Sequence, residues 1–91
     1  MRGFFLTFVT RDHCPLCDEA RPVVDRVARL VGARLRLADV EADDELLRRY
    51  AFSIPVVLDH QDRVLAEGTV RFGPLLVAAF RARLGISPRS R

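Results

Sequence analysis

Phe4-Phe5-Leu6-Thr7-Phe8-Val9-Thr10-Arg11-Asp12-His13-Cys14-Pro15-Leu16-Cys17 is the stretch from which the fold can be read. Phe4 to Val9 is short, aromatic and β-branched, and almost continuously apolar, the pattern of a central strand covered on both faces. A polar loop, Thr10-Arg11-Asp12-His13, ends it. Pro15 follows where a helix can begin, because the N–H that proline lacks has no intrahelical partner in the first turn. From Leu16 onward, Ala20, Val23 or Val24, Val27, Leu30 and Val31 recur at helical spacing, and Gly32 supplies the stop. Two cysteines three positions apart thus stand between a strand and the start of a helix.

Outward from this unit, Arg34 to Val40 alternates polar and apolar residues for most of its length and predicts a half-exposed edge strand. Glu41 to Ala51 carries acids in its first turns and Arg48 and Arg49 in its last. That is the charge order a helix dipole favours, and Leu46, Leu47 and Tyr50 are the residues expected to face the core. Ser53 to Leu58 reads as a third strand with a proline near its start. His60-Gln61-Asp62-Arg63 is a hairpin turn into an antiparallel strand, Val64 to Glu67, which ends at Gly68. A last helix is predicted from Pro74 to Leu84, burying Leu75, Leu76, Ala79, Phe80 and Leu84. The order β-α-β-α-β-β-α implies an α/β fold with a four-stranded mixed sheet flanked by three helices. The reading assigns residues 1–85 to one domain and 86–91 to a polar C-terminal tail.

Size and composition limit what this domain can be. Ninety-one residues support one hydrophobic core, and 49% apolar with 30% charged residues belongs to ordinary globular proteins. The basic residues are all arginine, fifteen against twelve acids, for a net charge of only +3. Arg81, Arg83, Arg89 and Arg91 gather near the C-terminus, where they complement a helix dipole. No basic stripe with interleaved aromatics accompanies them, so nucleic acid is not an expected partner. The apolar run at Phe4 to Val9 is too short for a membrane span and lacks a signal-peptide cleavage site, so no membrane association is expected and the expected compartment is the cytoplasm. There, two cysteines closing so small a loop are poorly explained as a structural staple.

Cys14 and Cys17 are suited to thiol chemistry by their place. Thiol exchange needs a thiolate near neutral pH, and a helix N-terminus offers unpaired N–H groups and a partial positive charge that stabilise one. Residues three apart share a helical face, so Cys17 can reach Cys14 and release a partner from a mixed disulfide. Cys14 is the expected nucleophile and Cys17 the resolving thiol. Two other readings are buried structural cysteines at chance spacing, and half of a zinc site, for which only His13 and His60 are further candidates within one chain. His13 either favours the thiolate or is an exposed loop residue. Arg11 either steers an anionic thiol substrate or is solvated. For Pro55 the residues alone favour a trans proline that marks a strand start; a cis bond would leave the backbone of Ile54 facing the Cys14 loop, where a substrate could pair as an added strand.

TRDHCPLCDEA, with the strand-loop-helix around it, ADVEADDELLRRYAFSIPVV and the hairpin that follows, resembles the glutaredoxin and thioredoxin superfamily. Most similar are the short bacterial glutaredoxin-like proteins with a C-x-L-C motif. The resemblance implies a minimal thioredoxin fold in which Pro55 is cis and faces the cysteines, and in which Ile54 touches the substrate backbone. It also matches Arg11 and Pro15 to a basic residue and a proline common in glutaredoxins, so that Arg11 resembles a ligand for a glutathione carboxylate. Leu16 departs from the tyrosine usual there. Glu67-Gly68-Thr69 departs from the Gly-Gly and Asp that hold glutathione. The Trp before the motif and the Gly-Pro within it, typical of thioredoxin, are also missing.

The expected function is therefore that of an enzyme-like electron carrier in cell redox homeostasis. Such a thiol-disulfide oxidoreductase reduces protein or low-molecular-weight disulfides through Cys14 and Cys17. Arg11, His13, Pro15, Ile54 and Pro55 are the candidate substrate-binding residues. No bound cofactor or metal is expected beyond the redox-active disulfide, with glutathione or another small thiol as a co-substrate. Expected partners are disulfide-containing proteins and a thiol reductant, and the expected state is a monomer. The alternative is a non-enzymatic binding module, or a metal-binding protein that uses the same cysteines.

Overall fold

The computed structural model describes residues 3–86. Its elements are β1 (Phe5–Thr10), α1 (Pro15–Val31), β2 (Arg34–Asp39), α2 (Asp44–Tyr50), β3 (Val56–Leu58), β4 (Val64–Glu67) and α3 (Phe72–Arg83). They form a four-stranded sheet of order β2-β1-β3-β4, with β1 parallel to β2 and both β1–β3 and β3–β4 antiparallel. The sequence-derived architecture holds, with β1 inside the sheet and β2 at its edge.

Alternation along β1 and β3 divides the interior in two. Leu6, Phe8 and Val57 pack with Ala20, Val24, Val27, Ala28 and Val31 of α1 and with Leu75 and Ala79 of α3. Val9, Val56 and Leu58 point the other way, onto Val40 and Tyr50. Helices thus cover both faces, and each fully buried aliphatic or aromatic side chain contributes about 1.5–3 kcal/mol. The Arg26 guanidinium lies 4.5 Å from the centre of the Phe72 ring and links α1 to α3.

Several boundaries and core assignments differ from the sequence reading, each for a local reason. The stretch predicted as one helix over 41–51 is broken. Asp39 accepts the Glu41 N–H at 2.9 Å and starts a single 3-10 turn, Val40–Ala42; Asp43 then accepts the N–H groups of Glu45 and Leu46 at 2.8 and 3.1 Å and starts α2. Short aspartate side chains compete with helical bonding and so become caps. α3 begins at Phe72, because Pro74 still falls in a first turn that needs no N–H from it. β3 begins only at Val56: Ser53 and Pro55 lie outside the ladder, and their carbonyls both accept the N–H of Gly68, at 3.0 and 2.9 Å.

Phe80, Leu84, Leu47 and Leu30 are exposed, contrary to the expectation that they join the core. α3 joins the α1 side of the core through Leu75 and Ala79 and buries Ala82 besides, a narrower stripe than its apolar content suggests. Pro22 lies inside α1 on an exposed position, and the helix continues past it because the stripe from Cys17 to Val31 is held in the core. Of the tail, Ile86 is exposed and residues 87–91 lie outside the described residues.

Candidate functional site

Cys14 is the N-cap of α1, with extended backbone angles of φ −124° and ψ 99°. Its Sγ accepts the backbone N–H of Cys17 at 3.1 Å, and its carbonyl accepts the N–H of Asp18 at 3.0 Å. The sulfur thus takes the place of the serine or aspartate oxygen that ordinarily caps a helix. Cys14 and Cys17 are joined as a disulfide, their Cα atoms 5.2 Å apart. Cys14 is 9% exposed and Cys17 only 2%, so an incoming group meets Cys14 first. Helix start, cap and difference in access all follow from Pro15 and from the apolar stripe that seats α1 on the sheet.

Cys14 lines a cleft of about 370 Å³ together with Arg11, His13, Pro15, Leu16, Ala51, Phe52 and Ile54. Of the residues singled out in the sequence, Arg11, His13, Pro15 and Ile54 converge here with Cys14, while Cys17 is buried and does not line the cleft. Pro55 is buried at the head of β3, and the Ile54–Pro55 bond is cis. His13 is exposed and has φ 58°, a left-handed conformation that histidine tolerates better than most residues. Arg11 Nη1 stands 3.9 Å from Glu41 Oε2, both side chains exposed. His60 is not part of this site. It sits in the β3–β4 turn with its ring edge-to-face with Phe4 at 5.0 Å.

The sequence reading missed Ala51, Phe52 and Glu41. Phe52 is fully exposed at the lip of the cleft. Its one sequence signal is an aromatic residue directly before Ser53-Ile54-Pro55, at a point where the turn after α2 cannot bury it.

The family model described as Glutaredoxin-like domain (DUF836) matches residues 5–77, most of the chain. The chain belongs to this family. No curated protein sequence matches it significantly. Among solved structures it is similar to the structural-genomics target XcR50 from X. campestris, with 25% identity, a TM-score of 0.66, and 91% of this chain and 99% of that one covered. It also resembles protein Ne2328 from Nitrosomonas europaea, with 18% identity, a TM-score of 0.69, and coverage of 88% and 93%. Thioredoxin 1 from the thermophilic eubacterium Thermosipho africanus superposes with a TM-score of 0.58 at 16% identity, covering 87% and 91%. These glutaredoxin-like chain segments fold as a minimal thioredoxin domain, and with the Cys14–Cys17 disulfide they give the protein a redox role. Among the described residues, no helix is long and apolar enough to cross a membrane, and no group of three or more His, Cys, Asp and Glu could hold a metal ion.

Proposed function

We propose that this glutaredoxin-like domain is a dithiol oxidoreductase that reduces disulfides in a cytoplasmic setting. One observation carries the reading: Cys14 caps α1 and opens on a cleft while Cys17, its disulfide partner, is buried behind it. In the reduced protein, the N–H of Cys17 and the helix N-terminus favour the Cys14 thiolate over the thiol. That thiolate attacks one sulfur of a substrate disulfide R–S–S–R′. A Cys14–S–S–R bond forms, the R–S–S–R′ bond breaks, and R′S⁻ leaves and takes up a proton from water. Cys17 loses its proton and attacks Cys14 Sγ, which releases RS⁻ and closes the Cys14–Cys17 disulfide. Two electrons have passed to the substrate, and two equivalents of an external thiol such as glutathione return them.

Pro15 sets the cap, Ile54 lines the cleft with Cys14, and Pro55 is buried directly after it at the head of β3. No turn or loop hydrogen bond among the described residues engages the backbone of Ile54, which is left to pair with an extended substrate. Arg11 and His13 line the same cleft and contact whatever the sulfur carries.

A redox titration in glutathione and dithiothreitol buffers, followed by thiol trapping and mass spectrometry, tests the reading. A reversible two-electron transition confined to Cys14 and Cys17 supports it. Thiols that stay free across the range, or are protected by stoichiometric zinc, would replace it with a binding or metal-holding role.

A further inference from the structure

We infer that the cleft selects disulfides carried next to an apolar side chain, as in a peptide or protein segment, over those of small anionic thiols, and that Phe52 and Leu16 make the selection. The inference rests on the exchange reading above and names the substrate class of that same site.

Five of the eight residues lining the cleft are apolar: Pro15, Leu16, Ala51, Phe52 and Ile54. Two of them are held out in solvent, Leu16 at 47% exposure and Phe52 without any burial. A single exposed apolar residue is ordinary on a protein surface. Here two converge on the one sulfur that an incoming group can reach, and neither is used by the core. Leu16 occupies the second position of α1, beside Cys14, and Phe52 stands on the segment that leads to Ile54. A substrate chain whose cysteine meets Cys14 therefore brings its neighbouring side chain between these two.

Charge argues the same way. The guanidinium of Arg11 is faced by Glu41 at 3.9 Å. Asp12, Asp18 and Glu19 are exposed on the loop and first turns around the cysteines, and Glu19 lines an adjoining hollow with Leu16 and Thr69. A carboxylate-bearing thiol meets a cation that already has an acid 3.9 Å away, with several further acids around it, whereas an apolar side chain meets surface that gains by leaving water.

The experiment measures second-order reduction of three disulfides by the reduced full-length protein: the symmetric disulfides of two short peptides with Phe or Ser beside the cysteine, and glutathione disulfide. Released thiols are quantified by alkylation and mass spectrometry. Removing part of the exposed Phe52 and Leu16 surface from water predicts a preference of roughly tenfold for the Phe peptide over the Ser peptide. Phe52→Ser should bring that ratio close to one, and Leu16→Ser should lower it by a smaller factor. Glu41→Gln, which removes the acid that faces Arg11, should raise the rate with glutathione disulfide severalfold at low salt. Equal wild-type rates with the two peptides, or a ratio that survives Phe52→Ser and Leu16→Ser, overturn the inference while leaving exchange intact. A wild-type protein that reduces none of the three disulfides removes the exchange reading itself.

Discussion

Two turns in this molecule each carry a non-glycine residue in the left-handed region, and they are secured in opposite ways. In the β3–β4 turn, Asp62 has φ 63°. Around it, the fully buried Asp59 carboxylate accepts from the N–H of Gln61 at 2.8 Å, the N–H of Arg63 at 2.9 Å and the Arg63 Nε at 2.9 Å. Main-chain bonds from Asp59 to Arg63 and from Asp62 to Asp59 close the same loop. In the turn before α1, His13 has φ 58°, the side chains of Arg11, Asp12 and His13 are exposed, and no main-chain hydrogen bond among the described residues holds Asp12 or His13. The first turn is locked by its own polar groups. The second hangs between the end of β1 and the cap at Cys14, whose sulfur is the one to which the proposed exchange is assigned. Under the proposed function, stability and reactivity are thus assigned to opposite kinds of loop.

The largest expected effect separates the two roles completely. Cys14→Ser should abolish disulfide reduction in a steady-state assay, yet barely change the melting temperature of the reduced protein, because serine is itself a good N-cap. A large loss of stability would show that the redox turn is structural after all. Next comes Asp59→Ala, which strands the N–H groups of Gln61 and Arg63 and should cost about 2–3 kcal/mol. For a domain of this size that lowers thermal melting by on the order of 10–20 °C. Exchange activity of the folded fraction at low temperature should remain.

A smaller effect sharpens the contrast. A β-branched residue in the left-handed region costs about 1–2 kcal/mol when the backbone cannot yield. Asp62→Val should show that full loss by denaturant unfolding. His13→Val should show less, because its turn can relax, and should instead alter the exchange rate. Equal losses would mean that both turns are equally rigid.

The smallest effect concerns an exposed acid, as a foil for buried Asp59. The hydrogen bond from Arg48, then that from Arg49, holds the Glu45 carboxyl below its ordinary 4.5. A group depressed in the folded state stabilises above its unfolded pKa and loses that contribution as pH falls through the folded one. Stability curves of wild type and Glu45→Gln should therefore differ slightly at neutral pH and converge below about pH 4.5. A difference as large as that of Asp59→Ala would break the argument from burial.

The placement of the Cys14–Cys17 pair at the start of α1 was legible because its signal is local. A β-branched apolar run, a polar loop, Cys14-Pro15 and a helical stripe can be read within thirty residues, and each step has a single cheap physical solution. Asp59 was not legible as the keystone of its hairpin. Its sequence neighbours resemble any polar turn, and its burial depends on where the strands place it. Phe52 was passed over for the converse reason, since an aromatic residue near a strand predicts burial and here it finds no partner.

By itself, the sequence determined the order of elements, the edge position of β2, the parallel β1–β2 pair and the placement of Cys14 at a helix start. Periodicity, proline placement and crossover connection are properties of the chain and its nearest neighbours. Only the tertiary structure decided that Phe80 and Leu84 would stay in solvent, and that Arg11, Leu16, Phe52 and Ile54 would meet around one sulfur. Those outcomes turn on which surfaces remain after the sheet has chosen its helices, and on residues nearly forty positions apart arriving at the same cleft. Pattern along a chain carries no measure of either.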